Sequence, residues 1–170
     1  MTIRDLTMPT PALALLLLAC GTDRGTPLDI DGDAAAGLEI PVGAELQPWL
    51  AEQAYADFEG ESEIHESSGP HGRVRTFVSP GLSASLAAGA ATHPRGVAAI
   101  KELFDGDEPN GWVVSVKIED DSAGGEGWYW YEVFDPSPDA EPVVNGTGAG
   151  GCTGCHDAGI DYVRIPFPLE

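Results

Sequence analysis

The second half of the chain alternates apolar and polar positions with the two-residue period of β-strands. Gly124 and Gly125 lie between two of these runs, and a glycine turn between neighbouring strands predicts an antiparallel hairpin. A last short strand is expected after the final cysteine, with Pro166 and Pro168 preventing its extension. The predicted strands cover residues 73–78, 97–104, 112–118, 128–134 and 161–165.

In two of these strands the alternation assigns charged residues of interest to a face. In residues 97–104, Lys101 and Glu102 lie on opposite faces among apolar neighbours, so we expect one of them to point toward the interior. In residues 112–118 the apolar side chains share one face. Ser115 and Lys117 are therefore expected to face solvent.

Helical spacing of apolar residues precedes and interrupts the strand pattern. Residues such as Leu46, Leu50 and Phe58 predict a helix over residues 46–58, and a run rich in Ala and Leu predicts another over residues 82–91. These elements together predict an α+β fold, a mainly antiparallel β-sheet with flanking helices. The length is sufficient for a single core.

The N-terminal apolar run, residues 12–19, is too short to span a membrane as a stable helix and predicts an export signal. It ends in Leu-Leu-Ala followed by Cys20, which resembles the lipobox of bacterial lipoproteins. In that class the signal is cleaved before the cysteine, which then carries acyl chains that hold the protein at a membrane. The alternatives are an ordinary signal peptide with an incidental cysteine, or an uncleaved anchor.

The lipoprotein interpretation divides the chain into three parts. Residues 1–19 are expected to be the lipoprotein signal peptide, and residues 20–43 a flexible acidic tether with few apolar positions. Residues 44–170 are expected to form the folded domain. The protein would then lie in the cell envelope, facing the periplasm and anchored to a membrane through the lipid on Cys20.

Cys152, Cys155 and His156 form the motif C-x-x-C-H, the pattern for covalent attachment of haem c. The two thiols bond to the haem vinyl groups, and the histidine becomes an axial ligand of the iron. The chain has three cysteines, so lipid on Cys20 leaves these two as the haem pair. A Cys152–Cys155 disulfide is an alternative in an oxidising compartment, and a zinc site would need a further ligand from elsewhere.

Methionine is missing from the part of the chain expected to be mature. Met1 and Met8 are the only two methionines, and both lie in the expected signal peptide. The mature protein therefore lacks the His/Met ligand pair common in electron-transfer cytochromes. The sixth iron position is then open, filled by water, or taken by a lysine or a histidine; the histidines outside the motif are His65, His71 and His93.

The formal net charge of −20 argues against nucleic-acid binding, because phosphate backbones attract cationic proteins. The same charge would favour docking with a basic redox partner. It is equally explained by solubility at a crowded surface.

Six segments after Gly72 occur in a characteristic order: residues 73–78, 93–103, 114–117, 127–130, 152–156 and 161–163. This order resembles that of the cytochrome P-460 family, which includes the beta-type relatives of cytochrome c-prime. The resemblance implies a largely antiparallel sheet with flanking helices, one covalent haem near the C-terminus, a five-coordinate iron and often a homodimer.

Within that family, members with P-460 chemistry carry a covalent bond from a lysine to the porphyrin and oxidise hydroxylamine. Relatives without the bond bind nitric oxide or carbon monoxide. Lys101 is the candidate for the bond, because it shares a strand face with apolar residues, whereas Lys117 is expected to be solvated. The alternative for Lys101 is a snorkelling side chain with its amine at the sheet edge. Glu102 is the candidate proton acceptor, with Glu126 and Glu132 as alternatives.

Three hypotheses for function follow. The first is an exported, lipid-anchored monohaem cytochrome whose five-coordinate haem binds, oxidises or reduces small nitrogen species such as hydroxylamine or nitric oxide. The second is an electron-transfer cytochrome in which His71 or His93 supplies a second histidine ligand. The third is a haem-free lipoprotein stapled by a Cys152–Cys155 disulfide.

The first hypothesis predicts a protein whose mass exceeds that of the polypeptide alone and whose iron has an open coordination position. We expect the intact mass to exceed that of the polypeptide by one haem, and the absorption spectrum of the reduced protein to change when carbon monoxide is added. A mass equal to that of the polypeptide would exclude haem. A low-spin ferrous spectrum unaffected by carbon monoxide would exclude the open site.

Overall fold

A computed structural model of the protein describes residues 39–170. The expected signal peptide, the expected lipid site Cys20 and the expected tether up to residue 38 lie outside the described residues. Within residues 39–170, no helix is both long enough and apolar enough to cross a membrane.

The described residues form three α-helices and a seven-stranded sheet. The helices are α1 (Leu46–Ala51), α2 (Pro80–Ala87) and α3 (Gly150–His156). The strands are β1 (Glu59–Gly60), β2 (His65–Glu66), β3 (Arg73–Val78), β4 (Ala98–Asp105), β5 (Glu108–Lys117), β6 (Trp128–Val133) and β7 (Val144–Thr147).

The sheet runs in the order β1-β3-β4-β5-β6-β7, and β2 pairs with the other end of β3. Every pairing is antiparallel. The predicted α+β class, with a mainly antiparallel sheet and helices beside it, is therefore confirmed. The predicted hairpin is also confirmed, since β5 pairs with β6 and Ser115 lies opposite Trp130.

One face of the sheet, which we call the α1 face, packs against α1 and the turn that follows it. Leu46 and Leu50 of α1 are completely buried there, together with Tyr55 and Phe58 from the turn. Full burial of one such side chain contributes about 1.5–3 kcal/mol. This layer has more buried apolar residues than the other and is the larger hydrophobic core. Its strand residues are Phe77, Ala98, Ile100, Trp112, Val114, Val116, Tyr129, Tyr131 and Val133.

The opposite face, which we call the α3 face, is covered by α2, α3 and the C-terminal segment. Trp128 and Trp130 from β6 are buried there against Leu82 of α2 and Val163 of the C-terminal segment. Because both faces are covered, the central strands have no solvent-facing side. The expectation that Ser115 and Lys117 face solvent is therefore wrong: they are 9% and 1% exposed.

Adjacent residues of β4 enter the two different layers. Glu102 lies on the α1 face and is 5% exposed, whereas Lys101 lies on the α3 face and is half-buried. One of the two side chains was expected to point toward the interior, and in the structure both do. The cause is again the covering of both faces, which alternation alone does not reveal.

Three predicted elements differ from the observed ones. The first helix ends at Ala51 rather than residue 58, and two residues later Gln53 has a φ of +54°, which a continuing helix does not allow. The second helix begins earlier, at Pro80, and ends at Ala87. The strand predicted for residues 161–165 is wrong, since this region forms only an isolated bridge between Ile160 and Val163.

Gly111 should be intolerant of a side chain. It lies opposite Leu103, next to a shift in register between β4 and β5, and has a φ of +142°. A Cβ atom there would lie 2.0 Å from the backbone oxygen of Val133. We expect Gly111→Ala to lower the free energy of unfolding in urea by about 3 kcal/mol, combining backbone strain with displacement of β6.

The matched control is Gly146→Ala on β7, where a new Cβ atom meets nothing within 4 Å. This change should stay within about 0.5 kcal/mol. Equal losses of unfolding free energy in the two variants would show that the close approach of Gly111 to the Val133 backbone does not exclude a side chain.

Candidate haem site

The C-x-x-C-H motif lies on α3, a short helix with three glycines and hence a low intrinsic helix propensity. Cys152 and Cys155 are both free thiols, three residues apart and therefore on the same side of the helix. Cys152 is half-buried against the α3-face cluster, whereas Cys155 is exposed. Burial raises the pKa of the Cys152 thiol, and Glu132 and Cys155 raise it further.

The His156 imidazole is held by two contacts. Its Nδ1 lies 2.8 Å from the Tyr162 carbonyl oxygen, and its ring meets the Trp130 ring edge-on with 4.7 Å between centroids. Because a carbonyl only accepts, Nδ1 carries the proton and Nε2 has the free lone pair. Burial lowers the pKa of His156, and only the Tyr162 carbonyl opposes this effect. A neutral imidazole with a free Nε2 is the form that binds metals.

Two adjoining cavities lie on the α3 face; His156 lines the inner one, and no residue of the motif lines the outer one. The inner cavity has a volume of about 20 Å³ and the outer cavity about 550 Å³. Lys101, Arg164 and Ile165 border both cavities, so the two spaces adjoin along this boundary. The inner cavity is also lined by His71, Ser115, Trp130 and His156, and the outer cavity by Glu61, His65, Thr76 and Pro168. A volume of several hundred Å³ is typical of ligand and cofactor sites.

Lys101 is the lysine at this boundary. Within residues 39–170 its ammonium forms no hydrogen bond and no ion pair within 4.0 Å. Burial lowers the pKa of Lys101, Glu61 acts in the opposite direction, and Arg164 lowers it further. A lowered pKa increases the fraction of neutral amine, which is the nucleophilic form.

Lys117 is engaged elsewhere. Its side chain is completely buried, forms an ion pair with Asp161, and places its ammonium 5.7 Å from the centre of the Trp128 ring. The ammonium is therefore committed to a structural contact. Of the two lysines, Lys101 alone borders the cavities described beside His156.

Glu102, the candidate proton acceptor, belongs to a structural network on the α1 face. Its Oε1 accepts a hydrogen bond from the Tyr55 hydroxyl at 2.8 Å, and its Oε2 accepts two from Arg75 at 2.8 and 2.7 Å. The Trp112 indole in turn donates to the Tyr55 hydroxyl at 2.7 Å. The sheet separates this carboxylate from His156, so the geometry does not support the proton-acceptor role of Glu102, which stays a prediction.

The two alternative carboxylates occupy different places. Glu132 lies on the α3 face, with its Oε1 3.5 Å from Nδ1 of His71, and burial raises its pKa. Glu126 lies next to Gly148 and receives only a long hydrogen bond of 3.5 Å from Thr147. Glu132 is therefore the one of the three predicted carboxylates that approaches the inner cavity.

A further carboxylate, Glu61, was not predicted from the sequence. Its Oε2 accepts hydrogen bonds from the Thr76 backbone N–H at 2.6 Å and from Nε2 of His65 at 2.9 Å, at the wall of the outer cavity. This hydrogen bond raises the pKa of His65. The position of Glu61 depends on the pairing of the chain after β1 with β3, and nothing in the polar run 59–69 indicates that pairing.

The other histidines are distributed unequally. His71 lines the inner cavity and His65 the outer one, whereas His93 lines neither. His93 is 3% exposed, its Nδ1 lies 2.8 Å from the Ser85 hydroxyl, and burial lowers its pKa. His71 therefore shares a cavity with His156, whereas His93 does not. Of the two histidines considered as a second iron ligand, His71 is the better placed.

These residues fit the donor set that haem c requires, two thiols on one side of a helix and one imidazole with a free Nε2. The buried Nε1 of Trp130, beside His156, has no hydrogen-bond partner among residues 39–170. The same part of the chain contains no group of three or more His, Cys, Asp and Glu side chains arranged to hold a metal ion.

Comparison with known proteins adds no identification: no protein-family model, no curated protein and no solved structure matches the chain.

The Glu102 network should be measurable as stability rather than as site chemistry. We expect Glu102→Gln to lower the free energy of unfolding by about 2 kcal/mol, because it weakens charge-assisted hydrogen bonds from Arg75 and Tyr55. A double-mutant cycle with Tyr55→Phe should give a coupling of about 1 kcal/mol. Glu108→Gln, on an exposed part of β5, is the control and should have almost no effect. Strict additivity of Glu102→Gln and Tyr55→Phe would argue against the network.

Proposed function

We propose that the protein is an exported, lipid-anchored monohaem cytochrome of the P-460 type, which binds, oxidises or reduces a small nitrogen species at an open iron position. Cys152 and Cys155 would hold the haem through thioether bonds, and His156 would be the axial ligand. The observation that carries the proposal is the His156 imidazole on the C-x-x-C-H helix, held through Nδ1 by the Tyr162 carbonyl and lining a cavity with Lys101.

The haem would supply an iron centre that binds the ligand and exchanges electrons with it. The residues of this chain would orient and tune that centre. Trp130 and the Tyr162 carbonyl hold the His156 ring in one orientation and one tautomer.

Lys101 is proposed to form the covalent bond to the porphyrin that distinguishes hydroxylamine-oxidising members of the P-460 family from ligand-binding relatives. The new C–N bond would replace one amine N–H bond and one porphyrin C–H bond, and the two protons and two electrons released would pass to an external oxidant such as a peroxide. Its half-buried amine, its lowered pKa and the absence of a described partner support this role. If the bond is not formed, the same amine would lie near the haem as a positive charge at the boundary of the two cavities.

Proton transfer in such a reaction is proposed to use Glu61 with His65, in place of Glu102. Glu61 lines the outer cavity together with Lys101, and its side chain is only 9% exposed. His65 is half-exposed, with 49% of its side chain accessible, and contacts Glu61 at 2.9 Å. The pair therefore joins the cavity wall to solvent, as a proton path requires.

A second candidate function is electron transfer with two histidine ligands. The specific observation in its favour is that His71 and His156 line the same inner cavity. Nδ1 of His71 lies 3.5 Å from the Glu132 carboxylate, a contact that would leave Nε2 of His71 available as a ligand. In either case the net charge of −20 would favour a basic redox partner. A homodimer is also proposed, on the family resemblance alone.

Lys101 is tested by the absorption spectrum and the intact mass. If the cross-link forms, the wild-type protein should show a red-shifted Soret band and a mass two hydrogens below that of the protein with simply attached haem. Lys101→Ala should show an ordinary c-type spectrum. Lys101→Arg keeps the charge but has no primary amine, so it should match the alanine variant. A wild-type spectrum that is already c-type would rule out the cross-link.

His71 separates the open site from the two-histidine alternative. For an open site, ferrous wild-type protein should bind carbon monoxide, and His71→Ala should bind it with an affinity changed by less than about tenfold, equivalent to 1.4 kcal/mol. His93→Ala is the matched control, since His93 lines neither cavity. Carbon monoxide binding that appears only in His71→Ala would support ligation by His71 instead.

A further inference from the structure

The chain after α3 makes a two-residue turn that is unusual for its sequence. Ile160 and Val163 exchange both backbone hydrogen bonds, at 3.0 and 2.9 Å, which leaves Asp161 and Tyr162 as the central residues. Both have positive φ, +48° and +67°. This is the φ pattern of a type I′ turn, for which asparagine and glycine are preferred. A tyrosine in the left-handed region is strained and needs support from its surroundings.

The support comes from the Asp161 carboxylate, which is buried beneath the turn. One oxygen accepts hydrogen bonds from the Lys117 ammonium and, at 2.7 Å, from the backbone N–H of His93. The other accepts one from the Ser122 hydroxyl. The side chains of Lys117 and Asp161 are 0% and 4% exposed. Burial alone would raise the pKa of Asp161, but these hydrogen bonds lower it below its usual value.

The three donors come from separate parts of the chain. Lys117 is the last residue of β5, His93 precedes β4, and Ser122 precedes β6. The carboxylate therefore joins the turn to the end of the sheet at several points. The residue that follows it is Tyr162, whose carbonyl oxygen lies 2.8 Å from Nδ1 of His156.

We propose that Asp161, through its contacts with Lys117, Ser122 and His93, is a positioning residue that sets the strength of the bond between His156 and the haem iron. The inference rests on the proposed function, because it assumes haem iron at His156. Asp161 does not touch His156. It fixes the backbone turn that presents the Tyr162 carbonyl to Nδ1–H, and that hydrogen bond fixes the tautomer and raises the basicity of the ligand.

The direction of the effect follows from this geometry. A firm hydrogen bond at Nδ1 makes the imidazole a stronger donor to the iron and favours the ferric state. Loosening the turn should therefore lower the Fe–His stretching frequency of the reduced protein and raise its midpoint potential. Loss of packing alone would reduce stability without both lowering the Fe–His stretching frequency and raising the midpoint potential.

The experiment compares Asp161→Asn, Lys117→Met and Ser122→Ala in the purified full-length protein. We expect Asp161→Asn and Lys117→Met to shift the Fe–His resonance Raman band to lower frequency and to raise the midpoint potential, with Ser122→Ala shifting both less, because it leaves the ion pair intact. The matched control, Asp157→Asn, is next to His156 but exposed, and should change neither. If Asp161→Asn does not fold, the proposal is tested by the smaller shifts of the Fe–His band and the midpoint potential expected in Ser122→Ala.

Unchanged band and potential in folded Asp161→Asn, or in folded Ser122→Ala, would overturn the proposal even if stability falls. If the protein as purified carries no haem, the proposed function fails, and the positioning role is then read from histidine ¹⁵N NMR. Wild-type His156 should be protonated at Nδ1, and Asp161→Asn should show a mixture of the two tautomers. A pure Nδ1–H tautomer in that variant would overturn the role of Asp161 independently of haem.

Discussion

The burial of one ion pair between the sheet and the C-terminal turn is the constraint on which the candidate site depends. α3 has three glycines and no completely buried residue, so it cannot hold the motif in place by its own packing. The turn that follows is anchored by Asp161 on Lys117. Because two buried charges stabilise each other only while both are present, removal of either leaves an uncompensated charge and frees the turn.

The same sheet serves two different purposes on its two faces. The α1 face carries the larger apolar cluster and the network of Tyr55, Arg75 and Glu102. The α3 face carries the residues that surround the C-x-x-C-H helix. Adjacent residues of β4 are divided between these purposes, since Glu102 supports the core and Lys101 borders the cavities. A strand period of two makes this division possible within a single dipeptide.

The sequence predicted the parts of the fold that depend on local periodicity. Strands β3 to β6, the β5–β6 hairpin and the α+β class follow from alternation and glycine turns, whereas the short strands β1, β2 and β7 were not predicted. Lys117 was misplaced because alternation predicts a solvent-facing side only when one face of a sheet is uncovered. The covering elements, α2 and the C-terminal segment, are distant in sequence, so their effect on Lys117 could not be read locally.

The site residues that were missed share the same cause. Asp161 and Tyr162 resemble a strand in sequence, and their left-handed turn exists because Lys117, His93 and Ser122 converge on one carboxylate. Glu61 acquires its place through pairing with β3. Such positions depend on contacts between distant segments. The motif itself, by contrast, is a matter of local spacing and was apparent from the sequence.

The order of elements along the chain has a consequence for biosynthesis. Every strand of the sheet, and with it Lys117 and Ser122, precedes α3 in the sequence. The surface on which the motif rests is therefore synthesised before the two thiols and the turn that locks onto it. A chain that assembles the platform first would leave Cys152 and Cys155 accessible for the proposed haem attachment until Asp161 reaches its partners at the end of the domain.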